Sequence, residues 1–182
     1  GESDELRCAI AYDTRHNSRH FAELCAEIMV ASGFHVFFFD GFRPTPELAL
    51  TVRARHCDCG IMISASHNPP SDNAVKVYWC HSEQLLPPHD KGVIDAVGKV
   101  DGIQKIPFAD AVAQGKVILC QQEIDAAYNQ AVLAQSTPGP RDIKIIYSSM
   151  HGVGRYSVMP IPPVEANTEV IVCQLNRLRK SA

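Results

Sequence analysis

Apolar runs alternate with amphipathic segments from residue 6 onward, and this alternation restricts the chain to strand–helix–strand units around a largely parallel sheet. Leu6 to Tyr12 reads as a buried strand, closed by the polar run Asp13-Thr14-Arg15. Phe21, Leu24, Cys25, Ile28 and Met29 then recur at helical spacing, with Ser18 as the expected cap and Gly33 as the stop. His35 to Phe39 predicts a second strand. Pro44-Thr45-Pro46 predicts the start of a helix through Leu48, Leu50, Val52 and Ala54, with Thr45 as cap and Pro46 at the first position. Cys59 to Ser64 predicts a third strand. The expected fold is α/β, a three-layer α/β/α sandwich with a mixed, mainly parallel sheet.

Further along, Val75 to Tyr78 reads as a short strand, and Pro87-Pro88 precedes a helix from His89 to Val97. Residues 100–119 show no clear period. Ile124 to Leu133 reads as a helix, and Ser136-Thr137-Pro138-Gly139-Pro140 as a linker. Ile143 to Tyr147 predicts a new strand, followed by Met150-His151-Gly152-Val153-Gly154. Pro160, Pro162 and Pro163 interrupt any helix there, and Glu169 to Cys173 predicts one more strand. This divides the chain into one domain over residues 1–135, a linker over 136–142, and part of a second, similar domain over 143–182.

With 46% hydrophobic and 20% charged residues, the chain has the composition of a globular protein able to bury a sizeable core. Its net charge of −3 shows no basic excess, so nucleic acid is not the expected partner. A phosphorylated ligand has to be held by a few placed cations. No run approaches the roughly 18 to 20 apolar residues of a membrane span; Ile28 to Phe39 is broken by Ser32, Gly33 and His35, so no membrane partner is expected. The acidic start, Gly1-Glu2-Ser3-Asp4-Glu5, lacks the basic and apolar regions of a signal peptide. The seven cysteines are an odd number, and Cys8, Cys25, Cys120 and Cys173 sit in apolar runs. Reduced, core-filling thiols and a cytoplasmic location are therefore expected.

Chemistry concentrates between residues 59 and 76. An apolar strand ends, Ser66 follows within two residues, and Asn68-Pro69-Pro70 prevents continuation as strand or helix. Beyond the carboxyl end of a parallel strand, Ser66 is placed where a ligand can reach it. His67 is adjacent and Lys76 lies ten residues on. A serine that exchanges a phosphoryl group needs proton transfer at its oxygen and positive charge nearby, which these two residues can supply. The same cluster also makes an ordinary turn, and residue chemistry alone leaves both readings open. Elsewhere, His151-Gly152-Val153-Gly154 offers a phosphate-cradling turn without the full glycine spacing. Arg15 and Arg43 each either face the ligand edge or are solvated loop charges. His56, Cys57 and Cys59, with Cys80 and His81 further on, match no standard zinc spacing and read as core and surface residues rather than a metal site. Arg177, Arg179 and Lys180 read as a solvated basic cluster.

Ser64-Ala65-Ser66-His67-Asn68-Pro69, followed by Asn73-Ala74-Val75-Lys76, resembles the signature of the α-D-phosphohexomutases, usually Thr-Ala-Ser-His-Asn-Pro then Asn-Gly-x-Lys. Tyr12-Asp13-Thr14-Arg15 with Ser18, Arg43-Pro44-Thr45-Pro46, Tyr78-Trp79 and Pro87-Pro88-His89-Asp90-Lys91 fall in the same order and spacing. They are most similar to the bacterial phosphoglucomutase and phosphomannomutase branch related to phosphopentomutase. Ile145 to Gly154, with Met150-His151-Gly152-Val153-Gly154, resembles the opening of that family's second domain.

The resemblance implies that Ser66 is a phosphoserine that moves phosphate between the 1- and 6-positions of a hexose, through a bisphosphate intermediate, in carbohydrate metabolism. It implies a sugar phosphate as substrate, a hexose 1,6-bisphosphate as activator, and Mg²⁺ bound by the serine phosphate and by three aspartates of an Asp-x-Asp-x-Asp loop. Lys76 would act at the transferred phosphoryl, Arg15 would orient the loop or the phosphate, and His67 would hydrogen-bond Ser66. Asn68, His151 and Gly152 would bind substrate or phosphate. Four departures accompany the likeness. Ala74 stands where glycine is usual, which strains the loop if that position requires positive φ. No Gly-Thr-Ser-Gly-x-Arg loop precedes, and no Asp-x-Asp-x-Asp or sugar-recognising Glu-x-Ser-Gly follows. Ser66 is then the one metal ligand of four, and glucose, mannose and pentose phosphates are not distinguished. These departures lead to the expectation of a fragment of a four-domain enzyme or a truncated or frame-shifted product. Its rival is a catalytically inactive remnant, at most a binding or phospho-acceptor module.

Overall fold

The computed structural model describes residues 5–120, 122–138, 144–161 and 169–172. Strands β1 (Leu6–Tyr12), β2 (Phe34–Phe39), β3 (Cys59–Ile63), β4 (Val75–Trp79) and β5 (Val117–Cys120) form one sheet in the order β4-β3-β1-β2-β5. All pairs are parallel except β3 with β4, so the sheet is mixed and mainly parallel, as the sequence predicts. Between the strands run α1 (Ser18–Ala31), α2 (Thr45–Ala54), α3 (His89–Val97) and α4 (Phe108–Ala113), and α5 (Gln122–Leu133) follows β5. Strands β6 (Lys144–Tyr147) and β7 (Glu169–Val172) pair in parallel in a sheet of their own.

The period-two side-chain alternation of a strand explains the layering. Cys8, Ile10 and Tyr12 of β1 face one side, against Ala22, Ala26 and Val30 of α1 and Ala111 of α4. Ala9 and Ala11 face the other, with Leu48 and Val52 of α2 and Ile124 of α5. The central strand is thus covered on both sides, which is why it reads as an unbroken apolar run. Gly60 sets the approach of α2 to β3, because a Cβ there would come within 2.7 Å of Val52 Cγ2.

Local details differ from the sequence expectation. Asn17, not Ser18, holds the N-cap position of α1, at φ 60° and without a side-chain capping bond, and Ser18 is buried with its hydroxyl donating to the carbonyls of Asp13 and Arg15. Helix α2 starts one residue early, with Pro44 at the cap. The segment without clear period contains α4 and β5, of only six and four residues. A six-residue helix is too short to display a period, and edge strand β5 leaves Ile118 and Leu119 exposed. Helix α3 buries no residue. Ile143, Cys173, much of the linker and the terminal basic cluster lie outside the described residues.

Arg43 is neither a solvated charge nor directed at the serine loop. It is 2% exposed and clasps Asp125 of α5 through Nε at 2.7 Å and Nη2 at 2.8 Å. Glu47, fully buried one turn into α2, lies 3.5 Å from Arg43 Nε, and neither of its carboxyl oxygens accepts a hydrogen bond. Burial, then the nearby Asp125 carboxylate, push Glu47 up to about 8 against the pull of Arg43, so the neutral acid is its favoured form. Asp125 moves the other way: burial works to raise it, but the hydrogen bonds and charge of Arg43 outweigh that and lower it. Because the Glu47 value is raised on folding, its contribution to stability is full below about pH 4.5 and is lost as pH rises towards 8. Glu47→Gln should leave the melting temperature nearly unchanged at pH 5 and raise stability by about 1–3 kcal/mol at pH 8.5, the usual range for relieving a buried group that must ionise. Thermal melts of both proteins across that interval provide the check; parallel curves would show that Glu47 is already ionised.

Among the described residues, no helix is long and apolar enough to cross a membrane. The six described cysteines are free thiols, and burial pushes Cys57 and Cys120 up to about 12, which makes them unreactive core groups. Among the described residues no three His, Cys, Asp or Glu side chains converge to hold a metal.

Candidate active site

Tyr12 and Ile63 are register partners on adjacent parallel strands, so the chains leaving β1 and β3 emerge side by side from one sheet edge. They then part, β1 leading to β2 on one side and β3 to β4 on the other. Such a switch point opens a crevice beyond the strand ends, where ligands bind in sheets of this kind. Here it holds Asp13-Thr14-Arg15 and the Ser64–Ala74 loop. Two shallow cavities near Arg7, His35, His56 and Cys80 contain none of these groups.

Asp13 organises the crevice. Its carboxylate accepts from Ser64 Oγ at 2.7 Å, from the Arg15 backbone N–H at 3.2 Å and from Arg15 Nε at 3.0 Å. Ser64 Oγ in turn accepts the Ser66 N–H at 3.1 Å. The Arg15 side chain is only 7% exposed, and its guanidinium donates to the carbonyls of Ser66, Asn68 (2.9 Å) and Pro69 (2.8 Å). These bonds hold Ser66 at φ 57°, in the left-handed region that costs a non-glycine residue about 1 kcal/mol or more. Arg15 thus ties the serine loop to the end of β1. Asn73 adds a bond from Nδ2 to the His16 carbonyl, and the Ser64 N–H closes the loop base on the Ala74 carbonyl at 3.0 Å. Ala74 is not among the positive-φ residues, so alanine there causes no backbone strain.

The antiparallel turn into β4 returns Lys76 to the same edge, opposite Met62. Its ammonium donates to Ser66 Oγ at 2.6 Å. The structure therefore brings Ser66, Lys76 and Arg15 together. His67 and Asn68 are exposed on the loop, and among the described residues no hydrogen bond joins His67 to Ser66; Lys76 is the partner of that oxygen. His151 enters by its backbone, its carbonyl accepting from Thr14 Oγ1, while the Gly152 N–H turns back to the Ser149 carbonyl at 2.7 Å. Asp13 and Ser64 were not singled out from the sequence as site residues. The available signal was a carboxylate at a strand end two residues before an arginine.

The sequence profile described as phosphoglucomutase/phosphomannomutase, alpha/beta/alpha domain I, matches residues 2–103, more than half of the chain. The chain belongs to the phosphoglucomutase/phosphomannomutase family. A probable phosphomannomutase of Haemophilus influenzae is 35% identical over 164 residues, covering 87% of this chain and 33% of that protein. A probable phosphoribomutase of Schizosaccharomyces pombe is 40% identical over 161 residues, 82% of this chain and 27% of its own length. Human phosphopentomutase is 33% identical over 159 residues, covering 80% and 26%. This family member thus spans about a quarter to a third of the length of these relatives. Among solved structures, a putative phosphomannomutase of Thermus thermophilus aligns with a TM-score of 0.67 at 20% identity, covering 92% of this chain and 37% of that one. A phosphoglucomutase/phosphomannomutase family protein of Burkholderia thailandensis aligns at 0.69 and 15% identity, covering 92% and 35%. Both share the fold.

Proposed function

We propose that Ser66 accepts and returns the phosphoryl group of a phosphosugar mutase that moves phosphate between the 1- and 6-positions of a hexose, and that residues 1–135 are its catalytic-serine domain. The observation that carries this reading is the contact between Lys76 Nζ and Ser66 Oγ at a switch point. A phosphoserine gives its phosphoryl to the free hydroxyl of a hexose phosphate; the P–O bond to Ser66 breaks, and Oγ leaves with developing negative charge. Lys76 is aimed at that oxygen, where a cation stabilises the charge and supplies the proton. In the return step Ser66 Oγ attacks the other phosphate of the hexose 1,6-bisphosphate, and the sugar oxygen departs. Arg15, spent on the loop carbonyls, keeps Ser66 in place through both steps. Residues 136–142 act as a linker and 143–182 as part of a second domain, a division supported by the separate β6–β7 sheet.

Magnesium does not fit the described residues alone. Asp13, the carboxylate nearest to Ser66 along this network, is already engaged by Ser64 and Arg15, and no acidic cluster converges on the loop. Ser66 would supply one ligand through its phosphate, and the ion would neutralise charge on the transferring group. The free thiols support a reducing, cytoplasmic setting.

Phosphate mapping tests the reading. After incubation with glucose 1,6-bisphosphate and Mg²⁺, the peptide containing Ser66 should gain one phosphoryl group, located by mass spectrometry. Phosphate on another serine, with Ser66 unmodified, would overturn the assignment. The relatives' names span mannose, glucose and pentose phosphates, so a pentose bisphosphate is run alongside.

A further inference from the structure

We propose that Arg43 and Tyr156 form a clamp that seats the 150–158 segment on the first sheet and so positions His151 at the root of the serine loop. The proposal rests on three connected observations. First, Arg43 is placed rigidly: its N–H donates to the Tyr12 carbonyl at 3.1 Å, one residue before Asp13. Its Nε and Nη2 hold both oxygens of Asp125, and Nη1 donates to the Phe42 carbonyl at 3.0 Å. Second, the edges of this guanidinium are engaged in the plane while one flat face meets the Tyr156 ring, 4.1 Å from its centroid. A desolvated, immobile guanidinium is a favourable seat for an aromatic face, because its ordering and dehydration are already met by Asp125. Third, the segment bearing Tyr156 also delivers the His151 carbonyl to Thr14 Oγ1. Thr14 lies between Asp13 and Arg15, the two residues that fix the Ser66 loop.

The segment is compact between these two anchors. Gly152 N–H bonds to the Ser149 carbonyl, Val158 N–H to the Gly154 carbonyl at 2.9 Å, and Ser157 is buried. A Cβ on Gly154 would overlap the Tyr147 hydroxyl, so the chain folds closely back on the end of β6. Besides the Tyr156 contact, the Thr14–His151 bond, an exposed contact, ties the segment to the site. Glu47 and Asp125 are the acidic groups facing Arg43, and with Tyr128 they line the same cluster. Arg43 is thus a positioning residue, acting on the serine loop through Tyr156 and His151. Its link to catalysis rests on the phosphoserine reading; the clamp itself does not.

Hydrogen exchange on Tyr156→Leu, Tyr156→Phe and the unaltered chain tests it. Tyr156→Leu should speed exchange in the 148–158 peptides about tenfold or more and leave β1 and β2 unchanged, while Tyr156→Phe, which keeps the ring, should match the unaltered chain. Arg43→Lys, which keeps the charge and loses the flat face, should resemble Tyr156→Leu. The rate of Ser66 phosphorylation should fall about tenfold in Tyr156→Leu and recover in Tyr156→Phe, as expected for a group that only positions. Unchanged exchange at 148–158 in Tyr156→Leu would overturn the clamp. If the unaltered chain shows no phosphate at Ser66, the phosphoserine reading fails instead, and the exchange data still decide the clamp.

Discussion

Ser66→Ala should abolish phosphate incorporation from a hexose 1,6-bisphosphate, leaving no more than about a thousandth of the original rate on any other residue of the chain. The reason is positional as well as chemical. Ser64 is the nearby alternative hydroxyl, and it is fixed by the Asp13 carboxylate while accepting the Ser66 N–H. It is also buried, whereas Ser66 is exposed on the crest of the loop. An acceptor placed in line with its donor gains several orders of magnitude over one that is not. Alanine keeps the Cβ and the backbone geometry at φ 57°, so the variant loses only the exposed bond from Lys76. Its stability should change by about 1 kcal/mol or less. Equal labelling of Ser66→Ala and the unaltered chain would show that phosphate arrives elsewhere.

Lys76→Met should slow Ser66 phosphorylation by about 10²-fold or more, the usual scale for removing one positioned donor or acid at a reacting oxygen. Methionine matches the lysine stem in length, so the packing of β4 opposite Met62 is retained and the melting temperature should shift little. Lys76→Arg keeps the charge but replaces a point donor 2.6 Å from Oγ with a bulkier fork, and should fall between the two. The measurement is the initial rate of phosphate appearance on the Ser66 peptide at saturating bisphosphate. A Lys76→Met rate near that of the unaltered chain would make the lysine a surface charge that merely rests against the serine.

Much of this arrangement is legible in local sequence. Strands β1 to β3 are each legible as a short apolar run, and helices α1 and α2 carry enough apolar residues at helical spacing to show their own period. The turn after Ser64 follows from Asn68-Pro69-Pro70, and its place beyond a strand end follows from the apolar run before it. The short elements α4 and β5 carry too few residues for a period, and only their contacts with α1 and β2 make them visible.

What the sequence by itself determined, then, is the strand–helix alternation and the place of Ser66 just beyond a strand end, because both depend on residues within a turn or two of one another. Tertiary structure decided which groups surround that serine. Asp13 reaches Ser64 across 51 positions, Arg43 reaches Asp125 across 82, and Thr14 reaches His151 across 137. Arg15 and Arg43 look alike along the chain, each a cation after a strand. Folding turns one to the carbonyls of the serine loop and buries the other between two carboxyl groups and an aromatic ring. No local pattern separates those fates, because desolvation and charge pairing depend on which distant segments the sheet order brings alongside.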